Sequence, residues 1–252
     1  MSAPLVYGLS VLWLVLAAAT LPVFIINKIK NSAESKNVML RVKSWWIIIL
    51  IFTIVFFAGK PWAYFIFAFV AVLALREIYL KTASAGPSAG IKIFPIFIFI
   101  ITLVSVLSWG LLFAMPGGAE YFFMAAVITQ FNDIAQYLWG KSVGRRRIAP
   151  GISPSKTWGG FSGGVFTSAL LAVLIAPYYA GIKGTAALFA GVTLAVFGFM
   201  GDLTVSAFKR ALKTKDMGAL IPGHGGVMDR IDSLLYNIPL CLAFMVFYNK
   251  LL

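Results

Sequence analysis

Eight long apolar runs parted by short polar stretches constrain this chain more than any other feature. They cover roughly residues 4–27, 44–59, 61–75, 91–113, 121–139, 158–177, 186–201 and 233–248. A helix needs about 20 apolar residues to cross the hydrocarbon core of a bilayer, and most of these windows approach or exceed that length. The second and third meet at Gly59, Lys60 and Pro61, which predicts a tight hairpin. Composition closes off the alternatives. The chain is 61% apolar and 12% charged, whereas soluble domains are about half apolar and about a quarter charged. The runs are continuous rather than alternating, which excludes a transmembrane barrel, and their apolarity excludes disorder. The expected fold class is all-α, a polytopic helical integral membrane protein with about eight transmembrane helices, between seven and nine. The first run starts at Pro4 with no basic region before it and no small-residue cleavage pattern, so it is expected to be a retained span. A single cysteine, Cys241, leaves no disulfide framework.

Placing alternate loops on opposite sides of the bilayer tests these windows, because cytoplasmic loops collect Lys and Arg. One side receives Lys28 to Lys43, then Arg76, Lys81 and Lys92, then Lys141, Arg145, Arg146, Arg147 and Lys156, then Lys209 to Arg230. That is 18 of the 21 basic residues, and only Lys60, Lys183 and Lys250 fall opposite. The split predicts that the basic side is cytoplasmic and that both termini lie outside. The net charge of +13 therefore gives an orientation and does not point to nucleic acid. No internal repeat of the kind that builds secondary transporters is present. Gly159, Gly160, Gly163 and Gly164 open the sixth window and permit close helix approach.

Only eight residues are acidic, and all five aspartates lie between positions 133 and 232. An ionisable residue within a span is costly and marks function by default. Asp133 is such a residue, with Gln136 and Tyr137 on its helix face. The segment from Gly201 to Ser233 holds Asp202, Ser206 and Lys209 at helical spacing. Asp229 and Asp232 lie three apart, and a turn rich in Gly and Pro surrounds His224. Carboxylates are hard oxygen ligands for Mg²⁺, cations neutralise phosphate, and glycines let backbone N–H groups approach an anion. The set suits a polyphosphate bound with a divalent cation. Walker and HExxH patterns are absent. A salt-bridged loop is the plainer alternative.

The run Ser206, Lys209, Arg210, Lys215, Asp216, Gly218, Pro222, His224, Gly225, Gly226, Asp229, Arg230 and Asp232 resembles the signature of the phosphatidate cytidylyltransferases, the CDP-diacylglycerol synthases. A second stretch, from Asp133 through Tyr137, Gly140, Gly144 and Pro150 to Ser153, Pro154, Lys156 and Thr157, is similar to that family's upstream motif. Together they cover roughly residues 132–233. Two positions depart from the pattern, as in a divergent subfamily. Gln136 stands where a small residue is expected, and Gly159 stands where many members carry a glutamate.

The resemblance implies transfer of the cytidylyl group of CTP to phosphatidic acid, releasing pyrophosphate, with Mg²⁺ required. It implies Asp202, Asp229 and Asp232 as metal ligands, in a centre of one ion or of two with a monovalent cation as the second. Lys209 and Arg210 would act with them in catalysis. Asp133, Lys156, Thr157, Ser206, Lys215, Asp216, His224, Gly225, Gly226 and Arg230 would bind substrate. Residues 1–120 are then N-terminal transmembrane helices, and residues 121–252 the catalytic transmembrane region. The expected partners are CTP, phosphatidic acid and the lipid bilayer, with no nucleic acid, and nothing decides between monomer and homodimer. The expected location is a bacterial inner membrane with the active site facing the cytoplasm. A cytidylyltransferase for another lipid phosphate, a silent paralogue and an anion transporter are the alternatives.

Overall fold

The computed structural model describes residues 2–30, 32–85, 93–222 and 225–251. Every one of the eight apolar windows is a helix: α1 (Ala3–Lys30), α2 (Ala33–Phe57), α3 (Lys60–Ser84), α4 (Ile93–Ala114), α5 (Gly118–Val143), α6 (Trp158–Tyr179), α7 (Gly184–Ala211) and α9 (Leu234–Leu251). A one-turn helix, α8 (Met228–Ile231), precedes α9. The two short windows belong to helices of full length. Polar residues carry α2 back to Ala33 and α3 on to Ser84, past the point where hydropathy ends. The expected hairpin between them turns at Gly59, whose φ of +85° suits glycine.

The chain is thus a polytopic helical membrane protein. Six helices, α1 to α4, α6 and α7, are long and apolar enough to cross a bilayer, and Leu234–Tyr248 of α9 is a shorter apolar segment. Helix α5 falls below that apolarity because it carries Glu120, Asn132, Asp133, Gln136 and Lys141. It tolerates them because α4, α6, α7 and α9 all pack around it. The sequence reading has no strands, yet a small antiparallel hairpin, β1 (Arg147–Ala149) and β2 (Ser153–Thr157), links α5 to α6. Pro150 and Pro154 break the helix there, and the backbone pairs with itself instead.

Within a bilayer, helices associate through close packing and interhelical hydrogen bonds. Both are concentrated around α5. A Cβ on Gly160 would lie 2.6 Å from the Gln136 carbonyl oxygen, so the glycines at the start of α6 set the distance between the two helices. Deeper in, four fully buried polar residues join four helices. Asn132 of α5 donates to Ala195 O (3.3 Å) and accepts from Ser168 Oγ of α6 (3.3 Å). Asn237 of α9 donates to Thr129 Oγ1 (2.7 Å) and to Leu194 O (2.9 Å). Aromatic rings fill much of the remaining interior, with Phe56, Phe67, Trp109, Phe113 and Phe122 in mutual contact at 5.0–6.0 Å.

The loops expected on one side meet at one end of the bundle. Ser44 Oγ of α2 donates to Pro222 O (2.7 Å), Lys81 Nζ of α3 to Thr214 Oγ1 (3.3 Å), and Arg210 Nε of α7 to Ile152 O of the hairpin (3.1 Å). Replacing Asn237 by Ala should lower stability by about 0.5–2 kcal/mol, the range for interhelical hydrogen bonds in membranes. Thermal unfolding in detergent reads this, and an unchanged midpoint would show the network to be energetically silent.

Candidate active site

Two helix ends and the hairpin assemble the site. Thr157 caps α6 by accepting from Gly160 N (3.1 Å), which fixes the direction of the preceding residue, Lys156. Its ammonium lies 2.6 Å from Asp202 Oδ2 on α7 and 4.3 Å from the centre of the Phe199 ring, one turn earlier. The other Asp202 oxygen accepts from Ser206 Oγ (3.2 Å), one turn later. Further along the same helix, Lys209 Nζ sits 2.9 Å from Asp229 Oδ1. Asp229 is buried, and its Oδ2 accepts from the backbone N–H groups of Met217 and Gly226, both at 2.9 Å.

A third group of carboxylates lies beside these pairs. Ser233 joins two of them: its N–H donates to Asp232 Oδ1 (2.8 Å) and its hydroxyl to Asp133 Oδ2 (3.1 Å). Burial, with the charges of Asp202 and Asp133 nearby, pushes the Asp232 carboxyl well above the usual carboxylate range, and Lys209 works against that shift. A cluster of acids that repel one another in this way is relieved by a cation, so the donor set fits a hard divalent metal. The cage is not ready-made, since among the described residues no three acid, histidine or cysteine side chains converge as a metal site. Asp229 already takes three protein donors.

The structure thus brings together Asp133, Lys156, Thr157, Asp202, Ser206, Lys209, Asp229 and Asp232, with Gly225 and Gly226 forming the turn over Asp229. Gly225 has a φ of +85°, and a Cβ there would approach Asp229 Oδ2 to 2.7 Å. Arg210 stands apart. Its guanidinium donates to Ile152 O and Thr214 O, tying the hairpin tip to the end of α7. Lys215, Asp216 and Arg230 are exposed around the site, and Arg230 is within electrostatic range of Asp133. His224 lies outside the described residues. Of the two departures, Gly159 abuts the end of α5, where a Cβ would lie 3.1 Å from Gly144 Cα. Gln136 has its amide nitrogen buried without a partner.

Sequence reasoning missed Glu77. This buried residue near the end of α3 accepts from the N–H groups of Val227 and Met228, both at 2.9 Å, and its carboxylate packs against Gly218 and Gly226. Glu77 therefore fastens the turn that carries Asp229 to the N-terminal half of the bundle. The available signal was its isolation, as one of three glutamates and the only acid at the end of its span. Glu77→Ala strands two backbone donors, each costing about 1–3 kcal/mol. It should lower the melting temperature and open the 213–226 segment to limited proteolysis, with Glu77→Gln milder on both counts. Equal protection in all three proteins would refute the fastening role.

The transmembrane bundle thus holds two lysine–aspartate pairs and two further aspartates at one end. The profile described as the Cytidylyltransferase family matches residues 88–248, which include both motifs. The uncharacterized protein YnbB of Escherichia coli (strain K12) is 33% identical over 260 residues, covering 83% of this chain and 87% of that protein. The phosphatidate cytidylyltransferase of Staphylococcus aureus (strain COL) is 40% identical over 131 residues, 51% of this chain and 50% of that one. For the phosphatidate cytidylyltransferase of Bacillus subtilis (strain 168) the figures are 37% over 139 residues, 52% and 49%. The chain belongs to the cytidylyltransferase family, in agreement with the nucleotidyltransferase class expected from its motifs. It spans about half the length of the phosphatidate cytidylyltransferases it matches.

Proposed function

We propose that this chain transfers the cytidylyl group of CTP to phosphatidic acid, forming CDP-diacylglycerol and pyrophosphate. The observation that carries this reading is the convergence of Lys156–Asp202 and Lys209–Asp229 with Asp133 and Asp232 at one end of a membrane bundle. A lipid phosphate reaches such a place laterally while its acyl chains remain in the bilayer, and the Cytidylyltransferase family model matches this part of the chain. Orientation by basic loops puts that end in the cytoplasm, where CTP is found.

The lipid phosphate is already ionised, so its oxygen attacks the α-phosphorus of CTP directly and pyrophosphate leaves in line. No protein nucleophile is required. The difficulty is electrostatic, since two anions must meet and further charge builds on the leaving group. Lys156 and Lys209 answer it by exchanging partners: each leaves its aspartate for a phosphate when substrates enter. Asp202 and Asp229, freed of their lysines, would then hold a Mg²⁺ ion together with Asp232. The ion, when bound, supplies neutralisation of the pyrophosphate oxygens. The turn at Gly225 and Gly226 holds Asp229 in place, and Thr157 and Ser206 orient Lys156 and Asp202.

A second reading, cytidylyl transfer to another lipid phosphate, is favoured by two observations. The match over most of the chain is to YnbB, and Gly159 leaves no acid at the start of α6. Labelled CTP, Mg²⁺ and a panel of lipid phosphates, incubated with purified protein, separate the two. The phosphatidic acid reading expects the greatest product from that lipid, and product from a different lipid alone overturns it. Asp202→Asn and Asp229→Asn should each lower turnover by on the order of a hundredfold or more while the proteins still insert. EDTA should stop turnover and Mg²⁺ restore it. Full activity in either variant, or in EDTA, defeats the metal assignment.

A further inference from the structure

The hairpin beside the site begins with a group of cations that none of the chemistry above uses. Lys141 closes the last turns of α5, and Arg145, Arg146 and Arg147 follow within six residues; all four side chains are exposed. The two ion pairs among the described residues engage Lys156 and Lys209, so no carboxylate pairs with these four. The chain makes eight acidic residues serve 21 basic ones, and here the imbalance is local. The backbone of the arginines is nevertheless ordered: Trp158 N donates to Arg146 O (2.9 Å), and Arg147 pairs with Thr157 across the hairpin.

Their depth follows from their neighbours. The outer face of α5 leading to them is apolar and exposed at Ile134, Leu138 and Val143, and the exposed indole of Trp158 stands at the start of α6, directly after the paired strand. In a membrane protein such a face lies against acyl chains, and tryptophan marks the headgroup layer. The arginines begin two residues after Val143, where apolar surface gives way to charge. At that level the abundant anion is the phosphate of a lipid headgroup, which a guanidinium engages through two parallel hydrogen bonds. One cation in the last turn of a membrane helix and three immediately beyond it form the arrangement that attracts anionic lipid.

We propose that Lys141, Arg145, Arg146 and Arg147 form a binding surface for the headgroups of anionic bilayer phospholipids. It seats the hairpin on the membrane, and because Lys156 lies on the second strand, it holds that lysine at the level of the headgroups.

The test uses the full-length protein in nanodiscs of equal phosphatidylglycerol and phosphatidylcholine, with retained lipids counted by native mass spectrometry after mild extraction. The wild-type chain should retain phosphatidylglycerol preferentially. The R145Q/R146Q/R147Q variant should lose roughly tenfold to a hundredfold of that preference in dilute salt, whereas R145K/R146K/R147K should keep most of it. A charge-matched variant, K28Q/K36Q/K43Q, should retain it too. Equal loss in that variant, or no loss in the glutamine variant, overturns the proposal. Independently of any variant folding, phosphatidylglycerol with a photoreactive headgroup should crosslink wild-type protein within residues 139–158. Absence of adducts there overturns the surface. So does crosslinking by a phosphatidic acid probe alone, which would assign the arginines to the substrate.

Discussion

Buried carboxylates must be matched by donors, and in this bundle that requirement organises the whole end where the site lies. An unpaired charge away from water costs several kcal/mol, yet the link between α7 and α9 is irregular backbone with N–H groups of its own to satisfy. Asp229 and Glu77 solve both problems together. Each carboxylate accepts two N–H groups from the link, at 2.9 Å in all four cases, and Lys209 neutralises Asp229. The link can then lie against the bundle, and through it Asp232 and Ser233 reach Asp133 on α5. Remove either acid and the rest of the constellation has no reason to keep its place.

The same pairings explain the site's chemistry. Lysine and aspartate that neutralise each other before substrate arrives cost the fold little, and each can change partner without leaving a bare charge. On the proposed reading, an incoming polyphosphate would bring negative charge for the lysines, and a cation would accompany it for the aspartates. Asp133 and Asp232 have no such lysine at hydrogen-bond distance, and it is there that repulsion among acids accumulates.

Much of this was legible in the sequence. Hydropathy located all eight long helices because apolar length is set by bilayer thickness alone, and the scarcity of acids exposed the aspartates. Hydropathy failed at the helix ends, where Lys36 to Lys43 and Arg76 to Ser84 are helical yet polar, since backbone hydrogen bonding does not stop at the apolar boundary. The contribution of Glu77 was hidden because its partners lie about 150 residues away and are backbone groups, which carry no side-chain signature. Arg210 was expected to act in catalysis with Lys209 because of its motif position. Its two bonds to carbonyl oxygens are again invisible in a string of residue types.

Helix α5 shows why composition alone misjudges a membrane helix. Taken by itself it is too polar to be counted as a span, yet it is the one around which α4, α6, α7 and α9 assemble. A lipid-facing helix must be apolar all round, but a helix wrapped by others needs only partners for its polar groups, and Asn132, Asp133 and Thr129 each have one. The outer face of α5 is apolar and exposed at Ile134, Leu138 and Val143, and the charged end begins with Lys141 and the arginines that follow it. The depth of Asp133 and the depth of the arginines are consequently set by the same helix, so the site and the headgroup layer are held in register by a single rigid element.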